Sequence, residues 1–426
     1  MARRSFVVPV SSLEAADATR FGPKAANLAR LGHAGLPIPD GFCIDAEAYR
    51  VQLTALGLAS HSNRVHSSEP GEARRAALAL KLGLLEGPIV PEVLQPLLQC
   101  RRVLVEATGA PVVVRSSALV EDRFGSSFAG QFESYLGLES EEEFLTAVRS
   151  CWAALWATRV LRYMASHDAS PADTAMAMLV QPLIAARISG GGLSRTAEGD
   201  RVLTAVRGLG TAIAQGEVVP DRYVISRQGA LRHASAGRVA HSTACPHALQ
   251  PRVRRGTAPP PCLDAARIRE LGTLLARIEE LMGMPVEIEW ALDDDGFKLL
   301  QARPLHVAPA AIPDSIWRRH PGLSGHPAGV GWSTGRACVV QCECELSRVG
   351  PGDILVTRVA GPSLSPFLPR VAGIVAELGG STSHLASLAR ERGIPAVFGV
   401  LEATTRIPDG AQVAVDGVAG VVRWMR

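Results

Sequence analysis

The sequence is short of aromatic rings, lysine, net charge and long apolar runs, and each shortage closes off a class of function. Phe, Trp and Tyr make up 5% of the 426 residues, too few for the base-stacking platform of a single-strand nucleic-acid binder. The 44 basic and 41 acidic residues leave a formal charge of +3, which argues against the basic footprint of a nucleic-acid partner. No window approaches the roughly 18 apolar residues of a membrane span. The opening MARRSFVVPVSSLEAAD has two arginines but no apolar segment behind them, so no secretory leader is expected. These absences predict a soluble, cytoplasmic protein with neither a nucleic-acid nor a membrane partner. Lysine is confined to Lys24, Lys81 and Lys298. That scarcity fits a genomic base-composition bias, and it makes each surviving lysine a candidate for a specific role. The eight cysteines are scattered except for Cys338, Cys342 and Cys344. These three lack the second ligand pair of a zinc site, so reduced thiols are expected.

What is present is a core-forming chain. Hydrophobic residues are 47% and charged residues 20%, a balance that excludes a mainly disordered protein and, at this length, admits two or three domains. The pattern predicts a short helix within FGPKAANLARLGHAGLPIPDGFCI (20–45) and a polar surface loop at 59–75 leading into further helices. A buried strand is expected in PVVVR, an amphipathic helix at about 141–165, and a strand pair in one sheet from AMAMLVQPLI and RVLTAVRGLG. Residues 228–262 read as loop and about 264–283 as helix. VEIEWALDDDGFKLLQARP reads as strand, Asp/Gly turn, strand. After Pro304 a Pro- and Gly-rich stretch precedes short β-rich runs around one helix, a compact α/β unit of roughly 100 residues.

Four constellations carry possible chemistry. Glu289, Gln301 and Arg303, on two strands joined by a tight turn, would set carboxylate and amide oxygens suited to Mg²⁺ beside an arginine able to brace a transferring phosphoryl group. An ordinary hairpin with polar residues facing water explains them equally well. Lys24, flanked by Gly22 and preceding a helix, would place its ammonium on phosphates, although the GxxxxGK[ST] spacing is absent and a solvated lysine is the plain alternative. Arg115, Ser116 and Ser117 at a strand end offer charged and hydroxyl donors to phosphate, with the SSFAGQ loop downstream able to close over a nucleotide. A strand terminus followed by a flexible turn is the alternative there. His384, in GGSTSHLASLARERG, sits in the first turn of a helix after small residues, where a neutral imidazole nitrogen is a nucleophile and its phosphoramidate can pass phosphate on. A lone histidine is otherwise more often structural.

Taken in order, FGPKAANL, LPIPDGF, PVVVRSSALVEDRFGSSFAGQFES, GLGTAIAQGEVVPDRYV, VEIEWA…LLQARP and GGSTSHLASLARERGIPAVFGV resemble the dikinase family of PEP synthase, pyruvate phosphate dikinase and rifampin phosphotransferase. The resemblance covers nearly the whole chain. It implies an α/β and α+β architecture: an ATP-grasp nucleotide-binding domain over 1–305, a linker over 306–322 and a compact swivelling phosphohistidine domain over 323–426. It further implies that ATP is cleaved between its α and β phosphates, that a pyrophosphoryl group passes to His384, and that AMP leaves. The terminal phosphate is then removed and the phosphohistidine swings to an acceptor. By motif, Lys24 and Arg115 would be phosphate clamps, Gln181 and Leu183 the adenine hinge, Glu289 and Gln301 the Mg²⁺ ligands, and Arg303 the partner of the transferring phosphates.

Two stretches depart from the family pattern. Gly22-Pro23-Lys24 stands for Gly-Gly-Lys, which stiffens the loop, and Ser189-Gly190-Gly191-Gly192-Leu193-Ser194 replaces a bulkier stretch and predicts a more mobile loop. No recognisable acceptor domain is apparent in the sequence. Three readings therefore stand: a phosphotransferase whose small-molecule acceptor (hydroxyl, enolate or carboxylate) is held by a partner subunit, a self-sufficient enzyme with its acceptor in the interdomain cleft, and a non-catalytic phosphocarrier. The intact motif residues argue against the last.

Overall fold

The structure, a computed structural model, describes residues 5–67, 69–121, 132, 134–165, 170, 173–239, 260–307 and 320–425. The chain divides into two compact units, Met1–Ala185 with Lys298–Arg303, and Ala186–Phe297 with Pro304–Arg426.

The first unit is built on an antiparallel sheet in the order β1-β2-β5-β3-β4, from Val7–Pro9, Phe42–Ile44, Val112–Ala118 (β3), Ser134–Leu138 and Met176–Pro182 (β5). The β-branched Val112, Val113 and Val114 favour the pleat, and β3 pairs with β5 from Val112↔Pro182 to Ala118↔Met176. Helices α1 (Ala18–His33), α2 (Ala46–Ala55), α3 (Ala59–Ser67), α4 (Pro70–Glu86), α5 (Pro91–Thr108), α6 (Glu141–Ala154) and α7 (Thr158–Ala165) accompany it. Local chemistry sets several boundaries. Pro91 opens α5, Gly109 closes it at φ 64°, and Ser140 with Glu143 forms a capping box for α6.

The second unit holds an antiparallel run β10-β9-β7-β6-β12, made of Leu231–Ser235, Asp221–Ile225 (β9), Arg201–Arg207 (β7), Ile188–Leu193 (β6) and Val286–Asp293 (β12), and a small pair β8 (Val218–Val219) and β11 (Arg238–Val239). It also holds α8 (Thr211–Ala214) and α9 (Ala265–Met282). Asp264 caps α9 by accepting from Arg267 N at 2.8 Å. The next strand, β13 (Gly296–Pro304), begins in this unit and runs through Lys298–Arg303 of the first.

Beyond Pro304, an eight-stranded sheet takes the order β14-β21-β20-β16-β17-β18-β19-β15. Its strands are Gly322–Ser324, Val421–Trp424, Gln412–Asp416, Trp332–Val340 (β16), Ile354–Thr357, Gly373–Ala376, Ala396–Phe398 (β19) and His326–Pro327. The four from β16 to β19 are parallel, and α10 (His384–Glu391) and α11 (Ala403–Arg406) accompany them. Val356, Val375, Val397, Val413 and Trp424 centre its core.

Several local expectations are corrected. Residues 59–67 are helical and α4 begins at Pro70, so 59–75 is not a loop; its Ser, Asn and His residues are weak helix formers, and α3 packs on α4. The apolar runs 176–182 and 201–207 are both strands but belong to different sheets. The Gly190–Gly192 stretch is a central strand, paired with β7 on one side and β12 on the other, and not a mobile loop. Residues 231–235 and 238–239 within the expected 228–262 loop are strands. By compactness, residues Ala186–Phe297 group with the C-terminal α/β unit, for the contacts described next. The SSFAGQ segment (126–131) and residues 308–319 of the expected linker lie outside the described residues.

Candidate active site

In the first unit the site begins with a broken helix. Gly22 has φ 73° inside α1, and a Cβ there would lie 2.2 Å from the Ser117 carbonyl oxygen, so only glycine permits this approach. Pro23 then starts the second helical stretch where a missing N–H costs nothing. Ala25 N donates to Ser117 Oγ at 3.2 Å, so Ser117 caps that stretch from the end of β3.

Lys24 leaves this turn with its Nζ 3.1 Å from Glu121 Oε2 and donates to Ser116 O at 3.3 Å. The Glu121 side chain is 1% exposed, against 21% for Lys24, and it also accepts from Ala118 N. A buried carboxylate therefore fixes the direction of the ammonium. Arg115 Nη1 donates to Leu300 O at 3.4 Å, and Asn27 Nδ2 donates to Ala302 O at 3.3 Å. Both tether the strand that carries Gln301 and the buried Arg303, which lie two residues apart and so share a strand face. In the β3–β5 ladder Val113 pairs with Gln181 and Arg115 with Leu179, so Arg115 and Gln181 share a sheet face. The Gln181 amide donates to Pro39 O at 3.0 Å, and Leu183 N donates to Pro111 O.

In the second unit, His384 is half-buried at the first position of α10, whose N-cap Ser383 accepts from Ala386 N at 3.3 Å. One face of the sheet receives this segment. Glu289 pairs with Gly191, and Gly191 with Thr204, so these three point to the same side, joined by Glu287 two residues before Glu289. Thr382 stands where the Gly191 side chain would be: a Cβ on Gly191 would fall 2.6 Å from the Thr382 Cβ. The Thr382 and Thr204 hydroxyls are 2.7 Å apart. Glu287 holds the helix itself, accepting from Ser387 Oγ at 3.0 Å and from Arg390 Nη2 at 2.9 Å. Arg390 also donates to Ala328 O and Ser381 O. The pair is almost fully buried, and Arg390 spends further donors on those two carbonyls and on Ser387 Oγ, the extra hydrogen bonding that a buried ion pair requires. Gly379 N donates to Val218 O at 3.1 Å and Gly380 packs on Pro220, so the two glycines before the histidine serve close chain packing.

The structure thus brings His384's loop onto the strand face of Glu289 within one unit, while Lys24, Arg115, Gln181, Leu183, Gln301 and Arg303 all lie in the other. Sequence reading missed Glu121, Thr204, Glu287, Thr382 and Arg390. The Glu287–Glu289 alternation was the available signal for one of them.

The residues from 18 to 319 match the family model described as pyruvate phosphate dikinase, AMP/ATP-binding domain, and 349–420 match PEP-utilising enzyme, mobile domain. The chain belongs to the pyruvate phosphate dikinase family. It is 32% identical to the phosphoenolpyruvate synthase of Aeropyrum pernix, over 94% of its own length and 56% of that protein. It is 32% identical to a probable phosphoenolpyruvate synthase of Archaeoglobus fulgidus, over 98% and 58%. With the phosphoenolpyruvate synthase of Pseudomonas aeruginosa it shares 28% identity over 97% and 57%. It spans just over half the length of these relatives. The nucleotide-binding and mobile α/β architecture of the family is that of this chain, and among the described residues no helix is long and apolar enough to cross a membrane.

Proposed function

We propose that this chain is an ATP-dependent, AMP-forming phosphotransferase in which His384 carries the phosphoryl group between two sites. The observation that carries the reading is the seating of Thr382 in the space left by Gly191, beside Glu289 and hydrogen-bonded to Thr204. It holds the histidine's loop against the strand expected to meet the nucleotide's phosphates. An imidazole nitrogen of His384 attacks the β phosphorus of ATP, the bond from that phosphorus to the bridging α–β oxygen breaks, and AMP leaves with the electron pair. Water or inorganic phosphate then attacks the γ phosphorus and its bond to the β–γ bridging oxygen breaks, leaving that oxygen and the electron pair on the β phosphorus. An acceptor oxygen next attacks the β phosphorus and the nitrogen–phosphorus bond breaks, returning the electron pair to the ring.

Lys24, aimed by Glu121, and Arg115 would hold the phosphates, Arg303 would brace the transferring group, and Gln181 and Leu183 would border the adenine. Among the described residues no three His, Cys, Asp or Glu side chains form a metal cluster. The Glu289 carboxylate and the Gln301 amide oxygen are each donors that suit Mg²⁺, and an ion held by them would supply charge neutralisation to the phosphates. The acceptor in this reading is a small hydroxyl, enolate or carboxylate compound presented by a partner subunit.

Incubation with Mg²⁺ and ATP labelled at the β phosphate should label the protein in an acid-labile, alkali-stable bond. His384→Ala should abolish the label and Glu289→Ala should stop AMP formation. Release of ADP instead of AMP, or label surviving His384→Ala, would reject the mechanism.

A further inference from the structure

The same sheet face that receives the histidine loop continues into a cleft of about 390 Å³ within the second unit. One wall is sheet: Leu193, Val202, Arg222 and Val224 line it, and the pairings Leu193↔Val202, Val202↔Val224 and Thr204↔Arg222 put them all on the face that carries Thr204. The other wall comes from the C-terminal α/β unit, including Ser381, three residues before His384, and Arg390 of α10. The volume is that of a small-metabolite site.

The charges in this cleft are not balanced from within. Arg195 and Arg390 spend donors on Glu279 and Glu287, and Arg232 on Asp200. Arg222 is different. It is half-buried, its Nε is sealed from solvent without a hydrogen-bond partner, and among the described residues no hydrogen bond or ion pair holds its guanidinium. Burial pushes its pKa below the usual arginine value, only partly offset by the field of Glu198. A desolvated guanidinium with a nearby carboxylate but no bonded counter-ion is costly, and a planar oxyanion repays that cost with paired donors.

We propose that this cleft binds a small metabolite through a carboxylate or phosphate group, with Arg222 as its anchor. Such a ligand touches both walls, so it binds best when the histidine loop is seated on the sheet. By linkage it favours that seated state. Binding itself does not depend on the phosphotransfer reading, since it is measured without ATP.

Calorimetric titration of the full chain with inorganic phosphate and, separately, with malonate distinguishes the two oxyanion classes. At least one should bind saturably at fixed ionic strength. Arg222→Met should weaken that binding at least tenfold. Ala419→Trp, which fills the cleft from an exposed position on the opposite wall, should do the same, and it keeps the test decisive if Arg222→Met misfolds. Arg269→Met, an exposed arginine on α9, should leave it unchanged. Binding retained in both cleft variants, or no binding of either anion, overturns the site. None of these results bears on the formation of AMP or the labelling of His384.

Discussion

Glu121 sets the terms on which Lys24 acts. Its carboxylate is the more deeply buried partner of the two, so substituting the lysine alone strands a charge in the interior, a loss of about 3–5 kcal/mol for a buried pair. The double variant Lys24→Met/Glu121→Gln removes that stranded charge and should be more stable than Lys24→Met by about 1–3 kcal/mol, read from urea midpoints. Equal or lower stability of the double variant would show that Glu121 is solvated or paired elsewhere when the lysine is gone. The distinction matters for any activity assay, because a weak Lys24→Met enzyme is otherwise indistinguishable from a partly unfolded one. At this scale the sequence was informative about the cation and silent about its partner. Lys24 stands out in a chain with three lysines, whereas Glu121 lies 97 positions away, and no local pattern links the two.

Among the elements, β6 shows how a glycine run is misread. Three consecutive glycines lower strand propensity and resemble a loop, yet here their missing side chains are the contact surface. Gly190 lies against the Thr204 carbonyl and the Trp290 ring, and Gly191 against Thr382. Gly191→Ala would place a methyl group inside van der Waals range of Thr382 and push the histidine loop off the sheet. A displacement of that size at a reacting group is worth on the order of 10²-fold in rate. Single-turnover labelling of His384 should therefore slow by at least tenfold in Gly191→Ala and recover in Gly191→Ala/Thr382→Gly. Unchanged labelling in the single variant would mean that the seated loop is not the one that reacts. Of the C-terminal strands, the five from Ile354–Thr357 to Val421–Trp424 were legible as short β-rich runs bounded by Gly, Pro or Asp, whereas the three between Gly322 and Val340 were not singled out, two of them lying in or beside the Pro- and Gly-rich stretch. The assignment of 176–182 and 201–207 to one sheet failed because an apolar run reports burial and carries no information about which strand it pairs with.

At the level of the whole molecule, burial gives the fold a pH dependence. His326 is half-buried, its Nδ1 is sealed from solvent without a partner, and desolvation together with the nearby Arg222 and His233 pushes its pKa down to about 4. The unfolded chain, with an ordinary histidine value of about 6.5, takes up its proton first. Stability from this group is thus complete above pH 6.5 and falls as pH drops towards 4, by roughly 3 kcal/mol over the interval. Denaturant midpoints at pH 6.5 and 4.5 should differ less in His326→Leu than in the unmodified protein, by about 2 kcal/mol. An identical pH response in the two would place the titration elsewhere. The ordered motifs made the family architecture readable in advance. The grouping of Ala186–Phe297 with the C-terminal α/β unit was not readable, because it arises from Glu287, Thr204 and Gly191 meeting residues 100 to 191 positions downstream. One side chain on that sheet also sees the arrangement from behind. Trp290 is fully buried, stacks edge-on against Phe297 at 5.4 Å and donates its indole N–H to the Gly191 carbonyl at 3.1 Å. Its ring is bonded to the very residue on which the histidine loop rests, so its fluorescence is a built-in optical gauge of whether the loop is seated.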